Sequence, residues 1–248
     1  MMLQDKGCPF HRSKIGEEYQ PLVNPQLSAP YGFYDFARKE EPIFYSSVLN
    51  GYVITRYWYI VTIQKDPRKF CSKDNLGPIS EFTPETIAAL SKGFPFVSDL
   101  VNSDGSRHQF LREPLLKVFT PARIKTMSDS TAAIVNRLID GFIDDGNVYI
   151  MTQLAYPLTL EVIFSLYGVP LEMMADFKRW GHDNVKLVSS NLNAAEQLRA
   201  ARGVVEMQYA IADLIEKKRQ APEDDLISDI IDSELTLNDM VIVLSGLI

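Results

Sequence analysis

The chain has 248 residues, of which 46% are hydrophobic and 23% charged, and its formal net charge is −7. These proportions are typical of a globular protein and argue against a disordered or fibrous chain. The acidic balance makes nucleic acid an unexpected partner, because proteins that bind DNA or RNA usually present a basic surface.

The N-terminal part of the chain combines short helices with one small β element. Asn50-Gly51 lies between two β-rich runs and favours a hairpin turn, because both turn positions would take positive φ. The predicted elements are an extended arm over 1–30, helices over 31–41 and 58–65, and strands at Ile43–Ser46 and Tyr52–Thr55.

Residues 66–103 show no regular pattern except a short helix predicted near Pro84–Ser91. Loops of this length are uncommon inside compact domains and are often functional. The stretch is therefore a candidate substrate-facing segment. A surface excursion without a function is the alternative.

From residue 104 onward the hydrophobic pattern is almost entirely helical. Thr120-Pro121 marks a helix start, because threonine is a good N-cap and proline is tolerated at the first helical position. The core stripe of that helix is predicted to include Ile134, Val135, Leu138 and Phe142. Helices are expected over about 104–119 and 121–144, then after a brief Val148–Ile150 run as far as Tyr167-Gly168, and over about 171–188, 194–219 and 226–232. The fold class is therefore mainly α, with a small β-sheet near the N-terminus.

The last residues predict one more helix. Thr236 and Asp239 have the spacing of an N-terminal cap ahead of an apolar run. The run reaches Ile248 without a capping glycine, a basic residue or a polar tail, and an apolar helix of this kind should be buried. It is either a genuine C-terminal helix or the start of a longer one that has been cut short, and we expect the second. No membrane span is expected, because the run has about half of the roughly 20 residues that a span needs.

Few residues indicate metal or redox chemistry. The two cysteines, Cys8 and Cys71, cannot form a disulfide-rich scaffold, and no secretory signal precedes them. A reducing, cytoplasmic location is therefore expected. The histidines, His11, His108 and His182, show no metal-binding spacing. Dinucleotide, P-loop and serine-hydrolase motifs do not occur in the sequence.

One segment, SDGSRHQFLREPLLKVFTPARIK, carries a possible anion site. His108 and Arg112 are four positions apart and so share one helix face. Together they would suit a ligand carboxylate, because both side chains offer charge-assisted N–H donors. An ordinary solvated pair is the alternative at this point.

The same segment is locally basic. Five bases are opposed there by Glu113 alone, and they are Arg107, Arg112, Lys117, Arg123 and Lys125. In an acidic chain, such a patch favours docking of an acidic partner. Ordinary helix solubility explains it equally well.

In these segments the chain resembles the cytochrome P-450 superfamily, of the soluble bacterial type. Residues 104–124, DGSRHQFLREPLLKVFTPARI, resemble the family's pattern D-x-x-x-H-x-x-x-R with F-T-P downstream. Residues 31–72 resemble its opening helix, first hairpin and following helix. Residues 223–248, EDDLISDIIDSELTLNDMVIVLSGLI, resemble the lead-in to its long central helix. The resemblance implies the N-terminal part of the cytochrome P-450 fold, with the chain ending as that helix begins.

The resemblance also implies a function. The family's enzymes are heme monooxygenases that insert one oxygen atom from O2 into a small organic substrate. They receive electrons from a donor of the ferredoxin or flavodoxin type. The implied roles are heme-propionate contacts for His108 and Arg112, substrate contacts for Leu100 and Val101, donor docking near Arg107, Lys117 and Arg123, and a pocket lid formed by the helices near Trp180 and Asn193.

The sequence lacks three motifs that are typical of the family. The cysteine motif F-x-x-G-x-x-x-C-x-G, the E-x-x-R pair and the A-G-x-x-T segment do not occur. We therefore expect a single incomplete domain over 1–248, with an arm (1–30), a β element plus substrate loop (31–103) and a helical region (104–248). Alone it would lack the cysteine ligand of the heme iron and would be inactive. The alternatives are a non-catalytic helical remnant that binds a small molecule or a partner, and a weak heme binder that uses a histidine ligand.

Overall fold

The computed structural model describes residues 13–73, 75–95 and 99–247. The chain divides into two compact units, with the boundary between Cys71 and Ser72. The first unit contains α1 (Lys14–Glu18), α2 (Tyr31–Glu40), β1 (Ile43–Ser46), β2 (Gly51–Ile54) and α3 (Tyr57–Gln64).

An aromatic cluster holds the first unit together. The ring of Tyr19 stacks on Phe33 with centroids 5.0 Å apart and meets the edge of Phe44 at 5.3 Å. Tyr34 joins the cluster, and its hydroxyl lies 3.1 Å from the hydroxyl of Tyr19. Aromatic pairs of this geometry add to the free energy gained by burying the rings. The cluster fixes the residues after α1 against α2 and β1.

The hairpin forms where it was predicted, but its turn differs. β1 and β2 pair antiparallel, with Ser46 opposite Gly51, so the turn comprises the four residues Ser47–Asn50. Asn50 has the expected positive φ of 48°. Gly51 belongs to β2, so the prediction of positive φ at both positions is wrong for the glycine. The expectation of an extended arm is likewise wrong for Lys14–Glu18, which form α1 with the side chain of Ser13 as cap.

Helix α3 is unusual because it is apolar and none of its residues is buried. Trp58 is 73% exposed, and the ring of Tyr57 packs against it with centroids 5.0 Å apart. Within the described part of its own unit, α3 therefore presents its aromatic side chains to solvent.

The second unit is helical, as the pattern from residue 104 onward predicts. Its helices are α4 (Pro84–Leu90), α5 (Gly105–Val118), α6 (Pro121–Asp140), α7 (Tyr156–Tyr167), α8 (Met174–Ser189), α9 (Ala194–Gln220), α10 (Leu226–Ile231) and α11 (Leu237–Leu247). A π-helical turn (Met151–Ala155) precedes α7, and a 3-10 turn (Leu171–Met173) precedes α8. The predicted cap of α6 is confirmed, since the Arg123 amide donates to the Thr120 hydroxyl at 3.2 Å.

Helix α9 is central to the second unit and packs against α4, α8, α10 and α11. The main core is formed by buried side chains of α5, α7, α8, α9, α10 and α11. The prediction that the last helix is buried is confirmed, because Met240–Leu244 are all between 0% and 7% exposed.

The core stripe predicted on α6 is only half confirmed. Ile134, Val135, Leu138 and the following Phe142 are half-buried, and α6 has no fully buried residue. The periodicity thus identified the correct face of the helix, but the described residues cover that face incompletely. None of the helices in the described part of the chain has both the length and the hydropathy that crossing a bilayer requires.

Candidate functional site

The predicted anion site lies on α5. Leu111, Leu115 and Val118 are buried and anchor one side of this helix in the core of the second unit. His108 and Arg112 lie one turn apart, His108 half-buried and Arg112 exposed. Because the apolar side is fixed, the two polar side chains project from a helix that has little freedom to move.

Arg112 makes no ion pair or hydrogen bond with any residue that the structure describes, and among the five bases of the segment this holds also for Lys125. The imidazole of His108 has no such partner among those residues either. One of these donors is exposed and the other half-buried, and both suit an anion that comes from outside the chain, since guanidinium and imidazole N–H groups bind carboxylates through charge-assisted bonds.

Arg107, one position before His108, has a structural role instead. Its guanidinium lies 2.6 Å from Oδ1 of Asp239 in α11 and faces the ring of Phe110 at 5.7 Å. Asp239 is 6% exposed and the Arg107 side chain 33%, so the acid of this ion pair is shielded from water and the base only partly. The pair fastens the beginning of α11 to the helix that carries the candidate site.

Asp239 also caps α11, as its spacing from Thr236 predicts. The Thr236 amide donates to Oδ2 of Asp239 at 3.0 Å, and the Asp239 amide donates to the Thr236 hydroxyl at 3.1 Å. Burial disfavours ionisation of this carboxyl, but the bonds from Thr236 and Arg107 outweigh it and hold the pKa of Asp239 below its usual value. The carboxyl is thus charged at neutral pH.

The predicted basic patch is mostly neutralised by acids within the chain. Arg123 pairs with Asp229 and, at 3.3 Å, with Asp224, and Lys117 lies 3.4 Å from Glu113. The acids that face Arg107 and Arg123 are distant in sequence, 132 and 106 positions later. Counting charges along the segment could not reveal them.

The irregular stretch before α5 is tied to the start of that helix. The Asp104 carboxylate accepts bonds from the backbone amides of Ser72 at 2.7 Å and Lys73 at 3.1 Å. Asn102 exchanges bonds with the backbone of Leu76 at 2.7 and 3.2 Å. Sequence reasoning missed these contacts, which the Asp and Asn residues ahead of the helix could have suggested.

The predicted substrate contacts lie in this tied stretch. Leu100 is half-buried and packs against the main core, whereas Val101 is 45% exposed. Val101 is therefore the more accessible of the two for an external ligand.

Among the described residues, the remaining histidine and cysteine side chains form no second site. His182 on α8 is exposed, and Cys71 is an exposed free thiol in the first unit. Cys8 and His11 lie outside the described residues. Within the part of the chain that the structure describes, no three His, Cys, Asp or Glu side chains are grouped so that they could hold a metal ion.

Comparison with known proteins identifies bacterial cytochromes P450 as relatives. The chain is 34% identical over 145 residues to 6-deoxyerythronolide B hydroxylase of Saccharopolyspora erythraea, covering 56% of this chain and 35% of that protein. It is 29% identical over 214 residues to polyketide biosynthesis cytochrome P450 PksS of Bacillus subtilis, covering 83% and 50%. No family model matches the chain.

The fold gives the same result. Cytochrome P450 CREJ in complex with (4-ethylphenyl) dihydrogen phosphate superposes with a TM-score of 0.83 and 25% identity, over 92% of this chain and 58% of that one. The P450 heme domain of Tepidiphilus thermophilus gives a TM-score of 0.80, over 92% and 57%. The chain spans about half the length of the curated relatives it matches, 47% and 50% of two of them. The predicted resemblance to the cytochromes P450 and the N-terminal part of their fold are therefore confirmed.

The tie between α5 and α11 leads to a pH-dependent prediction. In the Asp239→Asn variant, we expect the free energy of unfolding at pH 7 to fall by about 1–3 kcal/mol, because Arg107 loses its partner and the cap is weakened. The pKa of Asp239 is lowered by folding, so the wild-type advantage is complete above about pH 4, the usual Asp value, and disappears as the pH falls through the lower folded value. Urea denaturation at several pH values measures this difference.

The matched control is Asp213→Asn, which removes an exposed carboxylate of α9 that has no ion pair among the described residues. This variant should change stability little at any pH. A difference between Asp239→Asn and the wild type that stays constant from pH 7 to strongly acidic pH would contradict the assigned role of the carboxylate.

Proposed function

We propose that this chain, which has the fold of the N-terminal part of a cytochrome P450, is part of a heme-thiolate monooxygenase acting on a small organic substrate. The observation that carries the proposal is the unpartnered pair His108 and Arg112 on the anchored helix α5. The names of several relatives support the activity, among them a hydroxylase and a steroid C26-monooxygenase.

The residues on α5 fit one side of a heme. Heme carries carboxylates, and the guanidinium of Arg112 and the imidazole of His108 are N–H donors without partners among the described residues. When bound, the heme would supply the oxygen-activating iron. The chain's own contribution would be to bind the carboxylates through Arg112 and His108, while the buried side of α5 keeps both donors in place.

The iron ligand is proposed to come from outside these 248 residues, so that the chain alone is inactive. The sequence contains two cysteines, Cys8 and Cys71, and neither lies in the ligand motif of the family. The incompletely covered apolar faces of α3 and α6 support the proposal that further protein packs on each of them.

The substrate is proposed to reach Val101 and Leu100 ahead of α5. The exposed side chain of Val101 can contribute apolar contact area. Relatives carry names as different as vitamin D(3) 25-hydroxylase and 2-hydroxy-5-methyl-1-naphthoate 7-hydroxylase. The proposal therefore extends to an apolar organic substrate class and no further.

An acidic electron donor of the ferredoxin or flavodoxin type is proposed to dock near Arg107, Lys117 and Arg123. Of these three, Lys117 is the most available, because its side chain is 73% exposed and its partner Glu113 is also exposed. Arg107 and Arg123 are engaged with acids of the chain. Lys117 would therefore supply most of the attraction for the donor.

A non-catalytic helical protein that binds a small molecule or a partner is the second candidate. It is favoured by the closed core of the second unit, in which the apolar residues of α11 are buried by α5, α9 and their neighbours. A unit of this kind could fold without further protein.

Sequencing the source DNA and its transcript beyond codon 248 separates the two candidates. We expect E-x-x-R and F-x-x-G-x-x-x-C-x-G downstream, in the same frame or after one frameshift. A stop codon followed by unrelated sequence in every forward frame would rule out the monooxygenase and support the non-catalytic protein.

In the heme-loaded holoenzyme, the double variant His108→Ala/Arg112→Ala should retain less heme than the wild type. Removing two charge-assisted donors should weaken heme binding by about tenfold or more. Heme content per protein, measured by absorbance after gel filtration, gives the result. Arg202→Ala, which removes an exposed base of α9 without an ion pair among the described residues, is the control, and heme content equal to this control would refute the assignment.

Charge reversal of Lys117 should slow reduction of the holoenzyme by its donor. We expect Lys117→Glu to reduce the association rate by up to about tenfold at low salt and to flatten its dependence on ionic strength. Stopped-flow reduction at several salt concentrations measures both effects. Lys217→Glu, which reverses an exposed charge on α9, is the control, and equal rates for the two variants would exclude docking at Lys117.

A further inference from the structure

Helix α4 is attached to α9 in an unexpected way. Helix α4 has seven residues, and helices this short are marginal in water unless other parts of the protein support them. Its support comes from two glutamine side chains of α9 that are almost completely buried, Gln197 (4% exposed) and Gln208 (1% exposed). Buried amides of this kind are costly unless their polar atoms are hydrogen-bonded.

Gln197 binds the chain at the N-terminal end of α4. Its Oε1 accepts from the Thr83 amide at 3.1 Å, and its Nε2 donates to the Glu81 carbonyl at 3.3 Å. Thr83 is the N-cap of α4, and its hydroxyl accepts from the Thr86 amide at 3.2 Å. Gln197 therefore holds the residue at which α4 begins.

Gln208 binds the chain just beyond the C-terminal end of α4. Its Oε1 accepts from the Phe94 amide at 2.9 Å. The next residue of α9, Tyr209, donates its hydroxyl to the Lys92 carbonyl at 2.7 Å, and its ring meets that of Phe94 with centroids 5.8 Å apart. Both ends of α4 are thus bonded through backbone groups to side chains of α9.

The contact at Gln208 depends on a glycine. A Cβ added to Gly93 would lie 2.2 Å from Oε1 of Gln208 and 3.0 Å from Cγ2 of Val205. Between the two bonded ends, Ala89 and Leu90 of α4 share an apolar cluster with Ala200 and Val204 of α9. Polar bonds at the ends and apolar packing in the middle together define one continuous seam.

We propose that Gln197 and Gln208 are positioning residues that clamp residues 81–94 to α9, so that α4 and α9 move as one body. Because both glutamines bind backbone groups, the clamp holds the backbone of residues 81–94 in position. It should therefore tolerate different side chains on α4. Each glutamine holds its own end, and loss of one should free only that end.

The consequence for catalysis rests on the proposed function. In the proposed enzyme, the stretch ahead of α5 faces the substrate, and α8 and α9 cover the substrate pocket. A displacement of α9 would then move α4 with it, so the two glutamines would couple movement of the helices that cover the pocket to movement of residues 81–94. The clamp itself is a property of the polypeptide and can be measured without heme.

Hydrogen exchange of the full 248-residue chain tests the clamp. In Gln208→Met, a nearly isosteric change, we expect the amides of residues 92–94 to exchange about tenfold faster, because the Phe94 amide loses its acceptor. In Gln197→Met, the amides of residues 81–86 should exchange faster by a similar factor. In each variant the opposite end of α4 and the amides of α8 and α11 should keep their wild-type rates.

Gln220→Met, at the exposed end of α9, is the matched control and should leave residues 81–94 unchanged. Unchanged exchange at 92–94 in Gln208→Met would overturn the proposal. So would an equal increase throughout α8, α9 and α11, which would mean that the glutamines stabilise the whole unit.

If Gln208→Met does not fold, Tyr209→Phe tests the same end, because Tyr209 is largely exposed and loses one bond to the Lys92 carbonyl. Heme retention and exchange are independent measurements, so failure of the clamp and failure of the proposed function are distinguishable.

Discussion

The burial of α9 is the constraint on which the second unit depends. This helix packs against α4, α8, α10 and α11, so its side chains must satisfy neighbours on several sides. Small residues permit the closest approach, since a Cβ added to Gly203 would lie 2.6 Å from the carboxylate of the buried Asp183 in α8. Polar residues on the other sides are retained where they have partners: Gln197 and Gln208 bind backbone groups, and Lys218 pairs with Asp225 at 2.6 Å. Every buried polar group that lacks a partner would cost free energy, so the hydrogen bonds of α9 also specify where its neighbours lie.

Helix α5 contributes both to the core and to the proposed ligand site. Its apolar side is buried through Leu111 and Leu115. Its polar side carries one arginine that has an acid partner within the chain and one that has none among the described residues. Arg107 has a shielded acid partner in α11, so its charge is used to hold the fold together. Arg112 has no partner among the described residues, so its charge remains available for an external anion. The sequence alone does not distinguish the roles of these two arginines, which lie five positions apart in one segment. The tertiary fold distinguishes them, because it supplies an acid partner to Arg107.

Features that depend on residues close together in the sequence were predictable, and those that depend on residues far apart were not. Helix boundaries were predictable where the signal is local: Thr120 and Thr236 cap the helices that follow them, and Gly168 ends α7 with a φ of 70°. The pairing of His108 with Arg112 on one helix face was also a local inference. The partner of Arg107 was not predictable, because Asp239 lies 132 positions later and nothing in the spacing connects them. The hairpin turn was misplaced because its register depends on which residues of β1 and β2 pair, and Asn50-Gly51 alone does not determine that pairing.

The fold separates the charges of the basic segment into internal ion pairs and bases that have no described partner. The five bases between residues 107 and 125 suggested one docking patch, but the structure assigns Arg107 and Arg123 to internal ion pairs. Arg112 is exposed, so it costs little to leave this charge without an internal partner, and its N–H donors stay available for charge-assisted bonds to an external anion. On the proposed function, Arg112 and His108 would bind an external carboxylate and Lys117 would attract an external donor, whereas Arg107 and Arg123 hold the helices of the chain together.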